Sequence, residues 1–210
     1  SAPTPAPAYS SKQFLTHTLL YLAMKSWTTW SLTAAWLLSA SALHAQTQPH
    51  NPEPRTWYVQ AGWAEHSAYA ATLGVTLPWR NWSWQLGNGN VRGHWDAFIS
   101  NWSSRYDNAG RHNTFVAGIG PSLRWRGQQG QSPWFAEIGT GITYANKHYR
   151  SGDARFSTRY NFASHIGVGM NFGHQRAHEL SVRVQHSSNA SIKRPNPGEN
   201  FVLLRYARSF

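Results

Sequence analysis

The residue pair best suited to chemistry in this chain is His186 and Ser188. Three apolar residues precede the pair at alternate positions: Leu180, Val182 and Val184. In a strand, the same alternation places the imidazole and the hydroxyl on the face of these apolar residues. Alternate residues of a strand lie about 6–7 Å apart between Cα atoms, on one face of the sheet. Their side chains can therefore reach hydrogen-bonding distance, so that the imidazole could take the hydroxyl proton and activate the serine.

Two polar groups on an apolar face carry a desolvation cost, and that cost is the physical reason to suspect a function. By itself the His-x-Ser pattern has little specificity, because it occurs by chance in many chains. A strand end that reaches the lipid headgroups would also hold polar residues for solvation alone. The interpretation of the pair therefore depends on the rest of the chain.

The composition of the 210-residue chain excludes some chemistry and favours a class of partner. The sequence has no cysteine, which excludes disulfides, thiolate metal sites and a cysteine nucleophile. Its 19 Lys and Arg exceed its 8 Asp and Glu, giving a formal charge of +11. Such a charge favours anionic surfaces, for example the phosphates of lipopolysaccharide and other outer-membrane lipids. We expect no nucleic acid partner, because the chain has no helix-turn-helix, zinc-finger or RNP-like pattern.

Eight segments of alternating apolar and polar residues would position the pair. Their opposite phases are small or polar, and aromatic residues cluster at their ends, as a membrane interface favours. An even number of segments of about ten residues predicts an all-β fold, an eight-stranded antiparallel transmembrane β-barrel of the bacterial outer membrane. The third segment could extend back towards Trp82. The apolar phases span Trp57–Trp63, Tyr69–Trp79, Val91–Ile99, Phe115–Trp125, Trp134–Tyr144, Phe162–Phe172, Leu180–Val184 and Val202–Phe210.

Charged residues on the opposite phases are expected inside the barrel. Side chains fill the interior of so narrow a barrel, so we interpret Asp96, Arg124, Glu137 and Arg183 as an interior polar network rather than a catalytic cluster. The alternative is a soluble β-sandwich or lipocalin-like barrel with its apolar phase inside. The opposite phases weaken this alternative, since they hold much Gly and few of the charges that a water-facing surface carries.

The beginning of the chain has the layout of an export signal. From Met24 to Ala45 a lysine head, an apolar stretch and small residues follow one another, which predicts a signal peptide cleaved after Ala42 or Ala45. We interpret Met24 as the true start, residues 1–23 as upstream sequence and residues 46–210 as the barrel. A transmembrane anchor is the alternative, but the apolar stretch is shorter than the roughly 20 residues that a spanning helix needs.

The stretch His186–Gly198 closely resembles the signature of the lipid A 3-O-deacylase (PagL) family. That signature is roughly His-x-Ser-Asn-Ala-Gly-(Ile/Leu)-Lys-x-Pro-Asn-x-Gly, and the match is far more specific than His-x-Ser alone. Gly93–Ala97 and Phe135–Gly141 also look like the family, and the resemblance extends over Trp57–Phe210. It implies an outer-membrane serine esterase that hydrolyses the ester at position 3 of lipid A in lipopolysaccharide.

The resemblance also implies roles for individual residues. The nucleophile corresponds to Ser188, the general base to His186, and a contributor to the oxyanion hole to Asn189. The implied acyl transfer through a serine ester requires neither a metal nor an organic cofactor. The family includes dimers, so the resemblance allows a homodimer but does not require one.

The third member of the implied catalytic arrangement is ambiguous. Counted without a gap, the position of the family's glutamate is Asn200, and Glu199 precedes it. Asn200 shares the parity of the lipid face, whereas Glu199 has the opposite parity, although alternation need not hold in the preceding turn. We expect Glu199 to orient His186, because a carboxylate stabilises an imidazolium better than an amide does.

Lys193 and Arg194 follow the proposed site. Their charges could pair with lipid A phosphates and hold the substrate in register, or the two side chains could reach the interface without a specific ligand.

Two alternative functions are compatible with the same barrel fold. The first is a non-enzymatic structural or adhesion protein that presents the polar segments Ser103–Arg111 and Lys147–Arg159 as loops. The second is an acyltransferase, which would need an acceptor pocket, often inside the barrel.

Overall fold

The computed structural model describes residues 53–64, 67–106 and 110–210. The expected upstream segment and signal peptide lie outside the described residues. Within the described ranges, no helix has the length and apolar character needed to cross a membrane.

The described chain forms a closed barrel of eight antiparallel strands, as the alternation predicts. Consecutive strands are neighbours, and the last strand pairs with the first, so the sheet has no free edge. A two-residue-per-strand hairpin, Arg150–Ser151 with Ala154–Arg155, lies in the connection after the fifth strand. The barrel strands are β1 Thr56–Ala64, β2 Tyr69–Leu86, β3 Gly89–Ser104, β4 His112–Arg126, β5 Trp134–Ala145, β6 Tyr160–Phe172, β7 His178–Ser188 and β8 Glu199–Ser209.

One boundary differs from the expectation. Strand β2 continues beyond Trp79 to Leu86, so Trp82 belongs to β2 and does not extend β3. The pairing of β2 with β3 shifts between Pro78 and Ser83. Proline lacks a backbone N–H for the ladder, and a local irregularity of this kind lets a strand bend without ending.

The outer wall is apolar and the interior is polar. Large apolar side chains such as Ile99 and Ile142 are 63% and 61% exposed, whereas the residues on either side of them in sequence are mostly covered. A soluble sandwich or lipocalin-like barrel would bury the apolar phase instead. The observed polarity is that of a barrel whose exterior meets hydrocarbon.

The interior contains the polar network that the sequence predicts. Arg124 donates hydrogen bonds of 2.7 and 2.9 Å to Glu137 and of 2.6 and 3.1 Å to Glu179. Arg183 also pairs with Glu137, and it donates to Asp96 at 3.0 Å. The prediction that Asp96, Arg124, Glu137 and Arg183 lie together inside the barrel is confirmed.

A second part of the network surrounds Asp96. Arg205 donates to the Asp96 carboxylate at 2.9 Å and to the Gln60 side chain at 2.9 Å. The Tyr58 hydroxyl donates to the other oxygen of Asp96 at 2.5 Å. Acceptors from distant parts of the chain thus hold Arg124, Arg183 and Arg205 in fixed orientations. These contacts tie opposite walls of the barrel together.

The barrel is closed at one end by an apolar cluster beneath the longer connections. Trp102 contacts Tyr149 and Phe201 with ring centroids 5.0 and 4.8 Å apart, and Phe156 packs on Tyr149. Longer loops mark the extracellular end of outer-membrane barrels. Strand β7 runs towards this end, so His186 and Ser188 lie near it.

Replacing Arg124 by methionine tests the contribution of the interior network. Arg124→Met leaves the carboxylates of Glu137 and Glu179 buried with fewer partners, and loss of one partner of a buried pair costs about 3–5 kcal/mol. We expect the barrel to unfold at lower urea concentration, measured by the heat-modifiable shift in gel mobility. The exposed Arg55→Met is the matched control. An unchanged urea midpoint for Arg124→Met would show that the network does not stabilise the barrel.

Candidate active site

His186 and Ser188 occupy the end of β7 on the outer wall of the barrel. The register places His186 between Ser164 of β6 and Asn200 of β8, and it places Ser188 beside Phe162 of β6. Ser188 is 9% exposed, and His186 is half-buried. The structure therefore brings both residues to the lipid-facing side, as the parity of the sequence predicts. Among the hydrogen bonds of the described residues, the ring pairs with Asn200 and the Ser188 hydroxyl with the Ala190 N–H.

Asn200 orients the imidazole. Its Oδ1 lies 2.8 Å from Nδ1 of His186, and the two residues are directly opposite in the β7–β8 ladder. A carbonyl oxygen only accepts hydrogen bonds, so with the amide in this orientation the ring proton lies on Nδ1. The assignment leaves Nε2 unprotonated, which is the form that a general base needs.

Glu199 lies on the other face, and this corrects the expectation that it orients His186. It is 3% exposed, pairs with Ser187 in the ladder and accepts a hydrogen bond of 3.0 Å from the Tyr149 hydroxyl. Burial raises the pKa of Tyr149, and the charge of Glu199 raises it further, so the phenol stays protonated and donates. The physical reason for the correction is that β8 begins at Glu199, so strict alternation already applies there.

Gly198 sets the distance between the turn and the imidazole. It has φ +71, in the left-handed region, and a Cβ on it would approach His186 Cε1 to 2.7 Å. A side chain at this position is therefore unfavourable both for the backbone and for the ring. The glycine of the Pro-Asn-Pro-Gly turn thus belongs to the site as a spacer.

Asn189 holds the loop after Ser188 rather than pointing at a substrate. Its Nδ2 donates to the Ser157 hydroxyl at 2.9 Å and to the Lys193 carbonyl at 2.7 Å, and the residue is 1% exposed. One amide hydrogen therefore binds within the loop and the other binds Ser157 of the β5–β6 connection, which differs from the expected direct role in an oxyanion hole. Its backbone N–H donates to Oδ1 of Asn196 at 2.9 Å.

The loop backbone brings other donors to the serine. Ala190 and Ser191 have φ +52 and +62, and the Ala190 N–H lies 3.5 Å from the Ser188 hydroxyl oxygen. Ser191 stands where the family signature has glycine, which suits a left-handed backbone. Lys193 and Arg194 are exposed on the same loop.

Three polar residues near the site have no role in the sequence-based prediction: Asn196, Ser164 and Thr140. Asn196 lies in the motif His186–Gly198, but the sequence alone indicates no role for it. Ser164 and Thr140 are hydroxyl residues on the apolar phases of β6 and β5, and the register aligns them with His186. The parity test that singled out strand seven would have found these two interruptions as well.

Comparisons with known proteins identify the family and the fold. The family described as lipid A 3-O-deacylase (PagL) matches residues 67–209. The lipid A deacylase PagL of Pseudomonas aeruginosa is 30% identical over 172 residues, which cover 81% of this chain and 96% of the relative. The lipid A deacylase PagL of Bordetella bronchiseptica is 34% identical over 91 residues, 43% of this chain and 47% of the relative. The crystal structure of the outer membrane enzyme PagL superposes with a TM-score of 0.63 at 26% identity, covering 74% of this chain and 99% of that one.

Replacing Gly198 by alanine tests the spacing around His186. Gly198→Ala should push the ring away from Asn200 and slow covalent labelling of Ser188 by a fluorophosphonate probe by about tenfold or more, because the probe reports serine activation. Gly87→Ala is the matched control, since Gly87 has φ +60 and a Cβ there would meet no atom within 4 Å. Equal labelling of the two variants would contradict the role of Gly198.

Proposed function

The chain belongs to the lipid A 3-O-deacylase (PagL) family, and we propose that it removes the 3-linked acyl chain of lipid A as a serine esterase of the outer membrane. The observation that carries this proposal is the outward-facing pair of His186 and Ser188 near the end of β7. A lipid in the outer leaflet can reach this pair from the side without leaving the membrane.

The proposed reaction begins with Ser188. Its Oγ attacks the carbonyl carbon of the ester while Nε2 of His186 takes the hydroxyl proton. The tetrahedral intermediate then expels the sugar oxygen, which receives that proton from Nε2. A water molecule, deprotonated in the same way, attacks the acyl-serine and releases the fatty acid and the free Ser188 hydroxyl.

The loop after Ser188 supplies the proposed oxyanion hole. The Ala190 N–H already faces the serine oxygen. Asn196 uses its Oδ1 to accept from the Asn189 backbone, which leaves its amide nitrogen as a further donor. Preorganised donors of this kind stabilise the negative charge of the transition state. Asn189 contributes through the loop that it holds in place.

Lys193 and Arg194 are proposed to bind the anionic groups of the substrate. Both lie in the exposed loop that begins at the nucleophile, and the Lys193 carbonyl accepts from Asn189 and Ser157. The backbone is therefore anchored while the charged ends extend outward. Charge-assisted contacts to phosphate would orient the sugar headgroup above the barrel wall.

Substitution of the two reacting residues tests the function. Ser188→Ala and His186→Ala should each lower deacylation by about a thousandfold or more, because each removes a group that reacts directly. Mass spectrometry of lipid A from cells that express each variant measures loss of the 3-linked chain. Ser187→Ala and His178→Ala are matched controls on the same strand, and they should retain activity. Full deacylation by Ser188→Ala would exclude the mechanism.

Substitutions at the orienting position distinguish Asn200 from Glu199. Asn200→Glu should raise the rate of deacylation about tenfold or more, because a carboxylate stabilises the imidazolium that forms, and Asn200→Leu should lower it. Glu199→Gln should leave the rate within about twofold, since Glu199 faces the interior. Steady-state rates on purified lipid A in detergent measure these effects. A large loss in Glu199→Gln with no effect of Asn200→Leu would reverse the assignment.

A further inference from the structure

A row of four polar side chains crosses the lipid-facing wall at the level of His186. The register aligns Thr140 of β5 with Ser164 of β6, Ser164 with His186 of β7, and His186 with Asn200 of β8. The proposed esterase mechanism uses only the half of this row formed by His186 and Asn200. The other half, Thr140 and Ser164, has no part in it.

The Thr140–Ser164 pair lies within an apolar surface. Ile138 and Ile142 flank Thr140 along β5 and are 54% and 61% exposed, and Phe162 and Ile166 flank Ser164 along β6 in the same way. The two hydroxyl oxygens are 2.9 Å apart. Among the hydrogen bonds of the described residues, each of these hydroxyls has the other as its partner.

The pair therefore presents one unused donor to the lipid. Each hydroxyl carries one hydrogen, and one of the two hydrogens is used between the oxygens. The remaining O–H lies among these apolar side chains, and an unmade hydrogen bond in such surroundings costs about 1–3 kcal/mol. A ligand that brings an oxygen atom to this place would remove that cost.

The distance from the nucleophile identifies where that oxygen would lie on a substrate. Ser164 is the diagonal neighbour of Ser188 across the β6–β7 pair, because Ser188 is aligned with Phe162. Diagonal neighbours on one face are about 7–8 Å apart. The first carbons of an acyl chain attached at Ser188, followed by one hydrogen bond of about 2.8 Å, span this separation.

We propose that Thr140 and Ser164 form an acyl-chain subsite that recognises a hydroxyl group on the carbons nearest to the ester carbonyl. This inference rests on the proposed function and adds a specificity determinant to it. The subsite lies on the β5–β6 side of His186, opposite to Asn200, so a chain that runs from Ser188 towards the bilayer centre along β6 passes over it. An unsubstituted chain would leave the donor unpaired.

The test compares two synthetic glucosamine lipids, esterified at position 3, that differ only by a hydroxyl on the third acyl carbon. We expect the full-length enzyme in detergent micelles to prefer the hydroxylated lipid about fivefold to tenfold in kcat/KM, as one hydrogen bond provides. Thr140→Val with Ser164→Ala should abolish this preference while leaving turnover of the unsubstituted lipid within about twofold. Ser164→Thr, which keeps a hydroxyl, should retain the preference.

Asn101→Ala is the control, because Asn101 is a polar outward residue on β3, four strands from β7, and it should retain the preference. A wild-type ratio near one would overturn the subsite, and so would an equal fall for both lipids in the double variant, which would indicate an effect through His186 or the fold. Hydrolysis of neither lipid by the wild-type enzyme would overturn the proposed function itself, and the subsite with it.

Discussion

The strict alternation of side chains across a closed sheet is the constraint on which the rest of the structure depends. Hydrocarbon offers no hydrogen-bond partners, so every backbone group must pair within the sheet and the sheet must close. Once it closes, each side chain belongs either to the interior or to the lipid face. The proposed nucleophile and base, Ser188 and His186, lie on the lipid face, an odd number of residues along β7 from Arg183, whose side chain lies in the interior.

Ion pairs inside this small barrel offset the cost of a polar core. Three arginines of the strands, Arg124, Arg183 and Arg205, meet three carboxylates, those of Asp96, Glu137 and Glu179. Because the charges are matched and hydrogen-bonded, the desolvation cost of each is offset by its partners. Ion pairs cross the described part of the interior, which disfavours an acyltransferase with an internal acceptor pocket.

Sequence alone predicts what depends on parity within one strand and misses what depends on register between strands. The barrel, the interior network and the shared face of His186 and Ser188 all follow from alternation. Parity within β6 and within β8 indicates that Ser164 and Asn200 face the lipid, but only the ladder shows that both are aligned with His186. Asn189 shows a different limit, since a residue type that suits an oxyanion hole also suits a buried loop anchor.

The amide at Asn200 is consistent with its place on the outer wall. A carboxylate beside His186 would stabilise the imidazolium, but before the reaction it would be a charge near hydrocarbon with a neutral partner, which is costly. An amide avoids that charge and, in the observed orientation, accepts from Nδ1, which leaves Nε2 unprotonated for the proposed role of His186 as base. It gives less stabilisation to the transition state, and it can also rotate so that its amide group donates to Nδ1, which favours the unreactive tautomer. The chain therefore combines the proposed nucleophile and base with a weaker orienting partner, and an uncharged partner suits a site that faces lipid.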